Sequence, residues 1–200
     1  MKRSFVISLV FIVVAVVCCV TFGLGKNQRL VPYTIVLKAT DFDQRGIGQE
    51  AFSEIKYVSS RGNWRSVKSF RSGFTLEQYA RVGRGIFTID NNQKKMYFES
   101  PYDPRNLSQP STNRNYVRSE IVAGILTNVL RTGNANTYTE VFLAPDLNDD
   151  VIKTVTKSPA STRVIEPVSI VRGEPIRGVF QHNEYEIDTT RDKRNLIVRH

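Results

Sequence analysis

Residues 117–133 read VRSEIVAGILTNVLRTG, and whether they form one helix or two strands decides the fold. Val117, Ile121, Ile125 and Val129 recur at every fourth position, the spacing of one helical face. Gly124 in the middle, Thr127 and the many β-branched residues instead favour two strands that turn near Gly124. Local pattern leaves both readings open, so the neighbouring segments must weigh in.

Most of those neighbours read as strand. Tyr33, Ile35, Leu37 and Ala39 alternate with Thr34, Val36, Lys38 and Thr40, a period of two. DFDQRGIGQE (41–50) is a polar loop with two glycines. Ile55 and Tyr57 alternate with Glu54 and Lys56, SRGN (60–63) is a turn, and NWRSVKSF (63–70) returns as the hairpin partner. FTLEQYARV (74–82) fits a short helix or a strand. GIFTID (85–90), the NNQ turn and KKMYFES (94–100) form the clearest hairpin of the chain. PYDPRNLSQPSTNRNY (101–116), with three prolines, is a loop between two halves. TYTEVFLAP (137–145), VIKTVTK (151–157) and TRVIEPVSIV (162–171) are strand-like. Pro167 has no N–H to give a ladder and belongs at an edge or a bulge. RGEP (172–175) is a turn, and the charged tail from Ile176 holds one short strand at Tyr185–Ile187. No internal repeat interrupts this pattern, which predicts a mainly β, antiparallel domain with few short helices.

The N-terminus is different. Between Arg3 and Lys26 there is no charged residue, and the 20 residues Phe5–Leu24 are almost all apolar. At about 1.5 Å per residue such a helix spans about 30 Å, the bilayer hydrocarbon. Residues 1–29 are therefore expected to be a transmembrane signal anchor, or a cleaved signal, with a short linker. A lipoprotein signal fits poorly, because Val17 precedes Cys18. With Lys2 and Arg3 inside, residues 30–200 form one extracytoplasmic domain in the cell envelope, held to the membrane through residues 5–24. Cys18 and Cys19 are the only cysteines, so the exported part has no disulfide, no thiol nucleophile and no cysteine-based zinc site.

The formal net charge is +9. Arg61, Arg65, Lys68, Arg71, Arg81, Arg84, Lys94 and Lys95 contribute, interleaved with Trp64, Phe70 and Tyr79. An extracytoplasmic address argues against nucleic acid as the partner. A solvated basic face, or one drawn to anionic headgroups or cell-wall polymer, is the simpler expectation.

Catalytic chemistry finds little support. DLNDD (146–150) places Asp146, Asn148 and Asp150 like the first three ligands of a calcium loop. The sixth loop position should be Gly and is Val151; the twelfth should be Glu and is Lys157. A hairpin tip is the main expectation, with Asp146, Asn148 and Asp150 as the only candidates for a divalent cation. His182 is the one histidine before the last residue, no G-x-S-x-G elbow exists, and His182 is expected in a surface loop. Glu120 and Glu140 lie within strand-like segments, and Asp41 and Asp43 share a loop. A buried glutamate paired with Arg118 or Arg131 is a simpler reading than a carboxylate pair at work. RVGRGIF (81–87) lacks the rest of a phosphate loop and marks a turn or bulge. No cofactor is expected.

TEVFLAPDLNDDVIKTV (139–155), followed by RVIEPVSIVRGEPIRGVF (163–180), resembles a group of uncharacterised bacterial envelope proteins. In that group a T-E-v-[WF]-x-[AS]-P-[DE]-L segment precedes a strand with a lysine, then R-G-E-P and a Phe. SEIVAGILTNVLR (119–131) resembles the segment before it, which is a β-hairpin there, and this tips residues 117–133 toward strands. The strand order is similar to that of lipoprotein-carrier-like (LolA-like) domains, whose curved antiparallel sheet forms an open half-barrel over an apolar concavity. The resemblance covers residues 117–181; over 33–100 it is one of strand pattern only, and the tail after Phe180 departs from it. It brings no catalytic residues and implies handling of an apolar ligand or a lipoprotein. The function expected is thus a noncatalytic, membrane-tethered envelope domain. The alternatives are an assembly partner docking through a basic face and a carboxylate-based hydrolase of envelope polymer.

Overall fold

The computed structural model describes residues 30–104, 115–182 and 184–188. The expected anchor at 5–24 lies outside them, and among the described residues no helix is long and apolar enough to cross a membrane.

Among the described residues twelve strands build one sheet. The first half of the chain gives β1 (Tyr33–Phe42), β2 (Gly48–Val58), β3 (Trp64–Phe70), β4 (Thr75–Arg81), β5 (Gly85–Asp90) and β6 (Lys95–Ser100). The second gives β7 (Tyr116–Val122), β8 (Ile125–Gly133), β9 (Tyr138–Ala144), β10 (Asp150–Lys157), β11 (Thr162–Arg172) and β12 (Glu186–Asp188). Their order is β12-β6-β5-β4-β3-β2-β1-β11-β10-β9-β8-β7, so the sheet is open, with β12 and β7 at its edges. Two antiparallel meanders, β1–β6 and β7–β11, join where β1 pairs with β11, Tyr33 facing Arg172 and Phe42 facing Thr162. Among the described residues only β12 runs parallel to its neighbour, β6. Helix among the described residues is confined to single 3-10 turns such as Pro145–Leu147 and Arg177–Phe180.

Residues 117–133 are two strands. Val122 faces Ile125 across a two-residue turn in which Ala123 and Gly124 have φ of 48° and 78°. Two consecutive left-handed residues give the turn whose twist matches a right-twisted hairpin. Gly124 adopts that geometry freely, whereas Ala123 bears a cost of about 1–2 kcal/mol. Residues 74–82, which fit either reading, form β4 with Glu77 facing Val67 and Ile89.

Pro167 sits inside the sheet at a bulge. Leu37 faces Pro167 and Val36 faces Ser169, which leaves Val168 as the extra residue of β11. A bulge is where a central strand tolerates a residue without an N–H. A second bulge shapes β10. Val151 faces Leu143 and Lys153 faces Phe142, so Ile152 is extra. The pairs of β10 with β11 run only over Thr154–Lys157, which frees its first residues to follow β9 alone.

The larger apolar cluster gathers Tyr33, Ile35 and Leu37 of β1 with Val129, Phe142, Leu147 and Ile152. The alternation of β1 supplies one half, and the second meander supplies the other. A smaller cluster of Tyr79, Phe87, Ile89 and Met96 lies at the β4–β6 end, with Phe98, Phe180 and Tyr185 packed on it. Phe180 and Tyr185 come from the tail, which here returns across the sheet to cover the second cluster.

Candidate functional site

That return forms a strap. The Arg65 guanidinium donates to the Val179 carbonyl at 3.0 Å. The Tyr185 hydroxyl donates to Asn91 Oδ1 at 2.7 Å, and the Glu186 N–H donates to the Lys94 carbonyl at 3.0 Å. The Lys94 ammonium lies 5.1 Å from the centre of the Tyr185 ring. β12 then brings Ile187 beside Met96.

Between strap and sheet run two adjoining cavities. One, of about 220 Å³, is lined by Tyr79, Met96, Phe180 and Tyr185 among others. The other, of about 500 Å³ and more open, is lined by Phe87, Phe98, Ile187 and Arg84. Arg84, Phe87 and Ile187 line both, so the two make one groove. Its larger lobe falls in the size range of small-ligand sites, which are mostly apolar with a few placed polar groups. Phe87 and Phe98 meet edge to face at 5.8 Å. Gly85 permits this: its φ is 134°, and a Cβ there would lie 2.5 Å from the Phe98 ring and 2.8 Å from the Ser100 carbonyl oxygen.

Arg81 and Arg84 guard the mouth. Both are exposed, at the β4–β5 turn that RVGRGIF predicted. Among the described residues neither has an acidic partner. Burial pushes the Tyr79 hydroxyl above its ordinary pKa, and the two arginines pull against that, so their field reaches into the groove. Three other cations of this half are engaged: Arg65 with Glu77, Lys68 with Glu54 and Lys95 with Glu186. Tyr79 is buried, Trp64 packs on Tyr102 and Phe70 on Phe52, so these rings serve the interior rather than a stacking platform.

His182 is not a surface residue. Its side chain is only 6% exposed, with ring centroids 5.0 Å from Tyr79 and 5.3 Å from Tyr185. The strap carries it inward, which no local pattern reveals. Burial first, then the Arg65 charge, lower its pKa below the usual value, while Glu77 opposes them. The ring is therefore neutral at pH 7, and its Nε2, 4.0 Å from Glu77 Oε1, makes no salt bridge there. Arg65 Nε lies 2.8 Å from the same oxygen without hydrogen-bond geometry.

The acidic stretch 146–150 caps the turn between β9 and β10, and its side chains go to separate partners. Asp146 approaches Arg172 at 3.5 Å. Asn148 clasps the main chain of Val31, accepting from its N–H at 2.8 Å and donating to its carbonyl at 3.0 Å. The Asp150 carboxylate accepts from the Tyr33 hydroxyl and from the Lys56 ammonium. Among the described residues no group of three or more His, Cys, Asp or Glu is placed to hold a metal ion.

Glu140 is buried and held by two arginines, as the sequence suggested. Arg118 donates to both its oxygens, at 2.9 and 3.2 Å, and Arg131 donates to Oε1 at 2.9 and 2.6 Å. Those bonds, Arg118's above all, keep its carboxyl below the usual range. A glycosidase acid needs the opposite shift. Glu120 pairs with Arg118 at 3.0 Å and Lys153 at 3.5 Å. Asp41 takes Arg163 in two bonds of 2.6 and 2.8 Å, and Asp43 closes its own loop through the N–H groups of Arg45 and Ile47. These carboxylates hold the sheet and its turns together.

No protein-family model and no curated protein matches the chain. Solved structures do. Its structural neighbours include LolA superfamily proteins. A LolA superfamily protein from Nitrosomonas europaea aligns at 10% identity over 76% of this chain and 90% of its own, TM-score 0.37. The lipoprotein LppX of Mycobacterium tuberculosis aligns at 11% identity over 74% and 89%, TM-score 0.35. MucB, solved in complex with MucA(peri), aligns at 16% identity over 83% of this chain, TM-score 0.46. The chain spans 59% of the MucB chain and 31% of that of PNGF-II, another neighbour.

Proposed function

We propose that this chain is a noncatalytic domain of the cell envelope that binds an apolar chain in the groove between β4–β6 and the strap. One observation carries the reading: Phe87, Phe98 and Ile187 line an open space of about 500 Å³ whose rim holds the exposed guanidinium of Arg84. An apolar chain removes the exposed parts of Ile187 and Phe98 from water, at about 25 cal/mol per Å² buried. Arg81 and Arg84 would meet a polar or anionic end of the ligand. Residues 5–24 would tether the domain to the membrane, placing the groove near its source of ligand. The paired state of Glu120, Glu140, Asp41 and Asp43 supports a binding role over a hydrolytic one.

The experiment is a titration of delipidated full-length protein, in detergent, with a fluorescent fatty acid. Saturable binding is expected, weakened at least ~10-fold, about 1.4 kcal/mol, by Ile187→Asp. Arg84→Glu should weaken a carboxylate probe more than its alcohol analogue. Absence of saturable uptake, or uptake indifferent to both substitutions, removes the reading.

A further inference from the structure

β7 is an edge strand, and among the described residues nothing pairs with its outer side. Its register with β8 fixes which backbone groups face outward. The two-residue turn makes Val122 and Ile125 a hydrogen-bonded pair, and such pairs recur at every second residue, at Glu120–Thr127 and Arg118–Val129. The N–H and C=O groups of Ser119 and Ile121 therefore point away from β8, as a template for another strand. The strand carries no proline and no lysine, and Val117, Ile121 and neighbouring Leu126 all stand exposed.

We propose that β7 pairs antiparallel with β7 of a second copy of this chain, across a two-fold axis at Ser119. Hydrogen bonding requires outward residues to face outward residues, which leaves three central registers. Centring on Arg118 opposes Arg118 to itself, and centring on Glu120 opposes Glu120 to itself, each placing like charges directly across the strands. Centring on Ser119 sets Arg118 opposite Glu120 of the second copy, and Glu120 opposite Arg118 of that copy. It also brings Val117, at the bulge that opens β7, opposite Ile121 of the second copy. The strand is thus complementary to itself in one register alone. In that register the Arg118–Glu120–Glu140 network, which already ties Arg118 to both glutamates, becomes continuous across the axis. A symmetric interface of this kind closes after two copies.

The test uses the full chain with Cys18→Ala and Cys19→Ala, in detergent. Paired residues across the axis have Cα atoms about 5.5 Å apart, within the ~4.4–6.8 Å span of a disulfide. Ser119→Cys should form a covalent dimer under mild oxidation, while Ser69→Cys, exposed on β3, should not. Ser119→Pro removes an outward N–H and no β7–β8 hydrogen bond, losing only the hydroxyl contacts to Tyr116 and Asn128. It should abolish the dimer seen by light scattering while the far-UV circular dichroism of the β fold is retained, and the melting temperature should no longer depend on protein concentration. Three results overturn the proposal: Ser119→Cys that links no better than Ser69→Cys, a dimer that survives Ser119→Pro, or a disulfide from Ser119→Cys to a chain of different mass.

Discussion

Asn148 holds Val31 by both ends of its amide, Oδ1 accepting at 2.8 Å and Nδ2 donating at 3.0 Å. The tip of the β9–β10 hairpin thereby fastens the residues that enter β1, 117 positions away in sequence. Asn148 also has φ of 64°, which asparagine tolerates better than most residues. Asn148→Ala removes both bonds and adds backbone strain, so a loss of about 2–3 kcal/mol is expected in urea unfolding. Asn148→Asp keeps the acceptor and loses the donor, and should cost about half as much. Equal midpoints for the two variants would show that the accepting bond from the Val31 N–H contributes nothing.

Glu140→Gln replaces a carboxylate that takes bonds from two arginines. Both arginines are partly exposed, which limits the loss to about 1–3 kcal/mol. The sign with pH follows from its lowered pKa. Above the ordinary carboxylate value the contribution is complete, and it is lost as pH falls through the lower folded value. Wild-type protein should therefore lose stability below about pH 4.3 more steeply than Glu140→Gln. Parallel profiles of melting temperature against pH would contradict this.

The hairpins were legible because each is local: β5 with β6, and β9 with β10, announce themselves by alternation and turn residues. Residues 117–133 were ambiguous on local pattern for a physical reason. Val117 and Ile121 are 45% and 70% exposed, whereas Ile125 and Val129 are 7% and 0% exposed. The four-residue spacing joins two residues at an open edge to two in the core, and it marks no single face. Glu140 was legible because a glutamate amid Val141, Phe142 and nearby arginines must be paired if buried. The groove was not legible. It needs Phe87 and Phe98 from one hairpin and Ile187 from the tail; the short strand expected at Tyr185–Ile187 is there as β12, but no local signal tells that it pairs with β6. His182 was misplaced on the same account.

His182 makes the strap sensitive to acid. Its neighbours are Tyr79, Tyr185, Arg65 and Glu77, with Arg81 and Arg84 lining the same cavity. With its folded pKa lowered, the neutral ring stabilises the strap above the ordinary histidine value, about 6.5, and that contribution is lost as pH falls below it. Methyl NMR of Ile187 should report loosening as pH falls below about 6.5. His182→Phe should flatten that response. A response unchanged in His182→Phe would assign the effect elsewhere.

Gly85→Ala tests the floor of the groove. The added methyl meets the Phe98 ring and the Ser100 carbonyl in a backbone region that L-residues avoid. A loss of about 1–3 kcal/mol is expected, with weaker uptake of an apolar probe as Phe98 is displaced. An unchanged melting temperature with unchanged uptake would show that the Phe87–Phe98 packing does not shape the site.

The central claim, an apolar chain bound between β4–β6 and the strap, is tested most directly by photolabelling. The full-length protein is irradiated with a diazirine-bearing fatty acid, and the labelled residues are located by peptide mass spectrometry. Label is predicted on Phe87, Phe98 and the strap around Ile187, competed away by unlabelled fatty acid and lost in Ile187→Asp. Competed label that falls instead on residues of β7–β10, or label that no fatty acid displaces, contradicts the account.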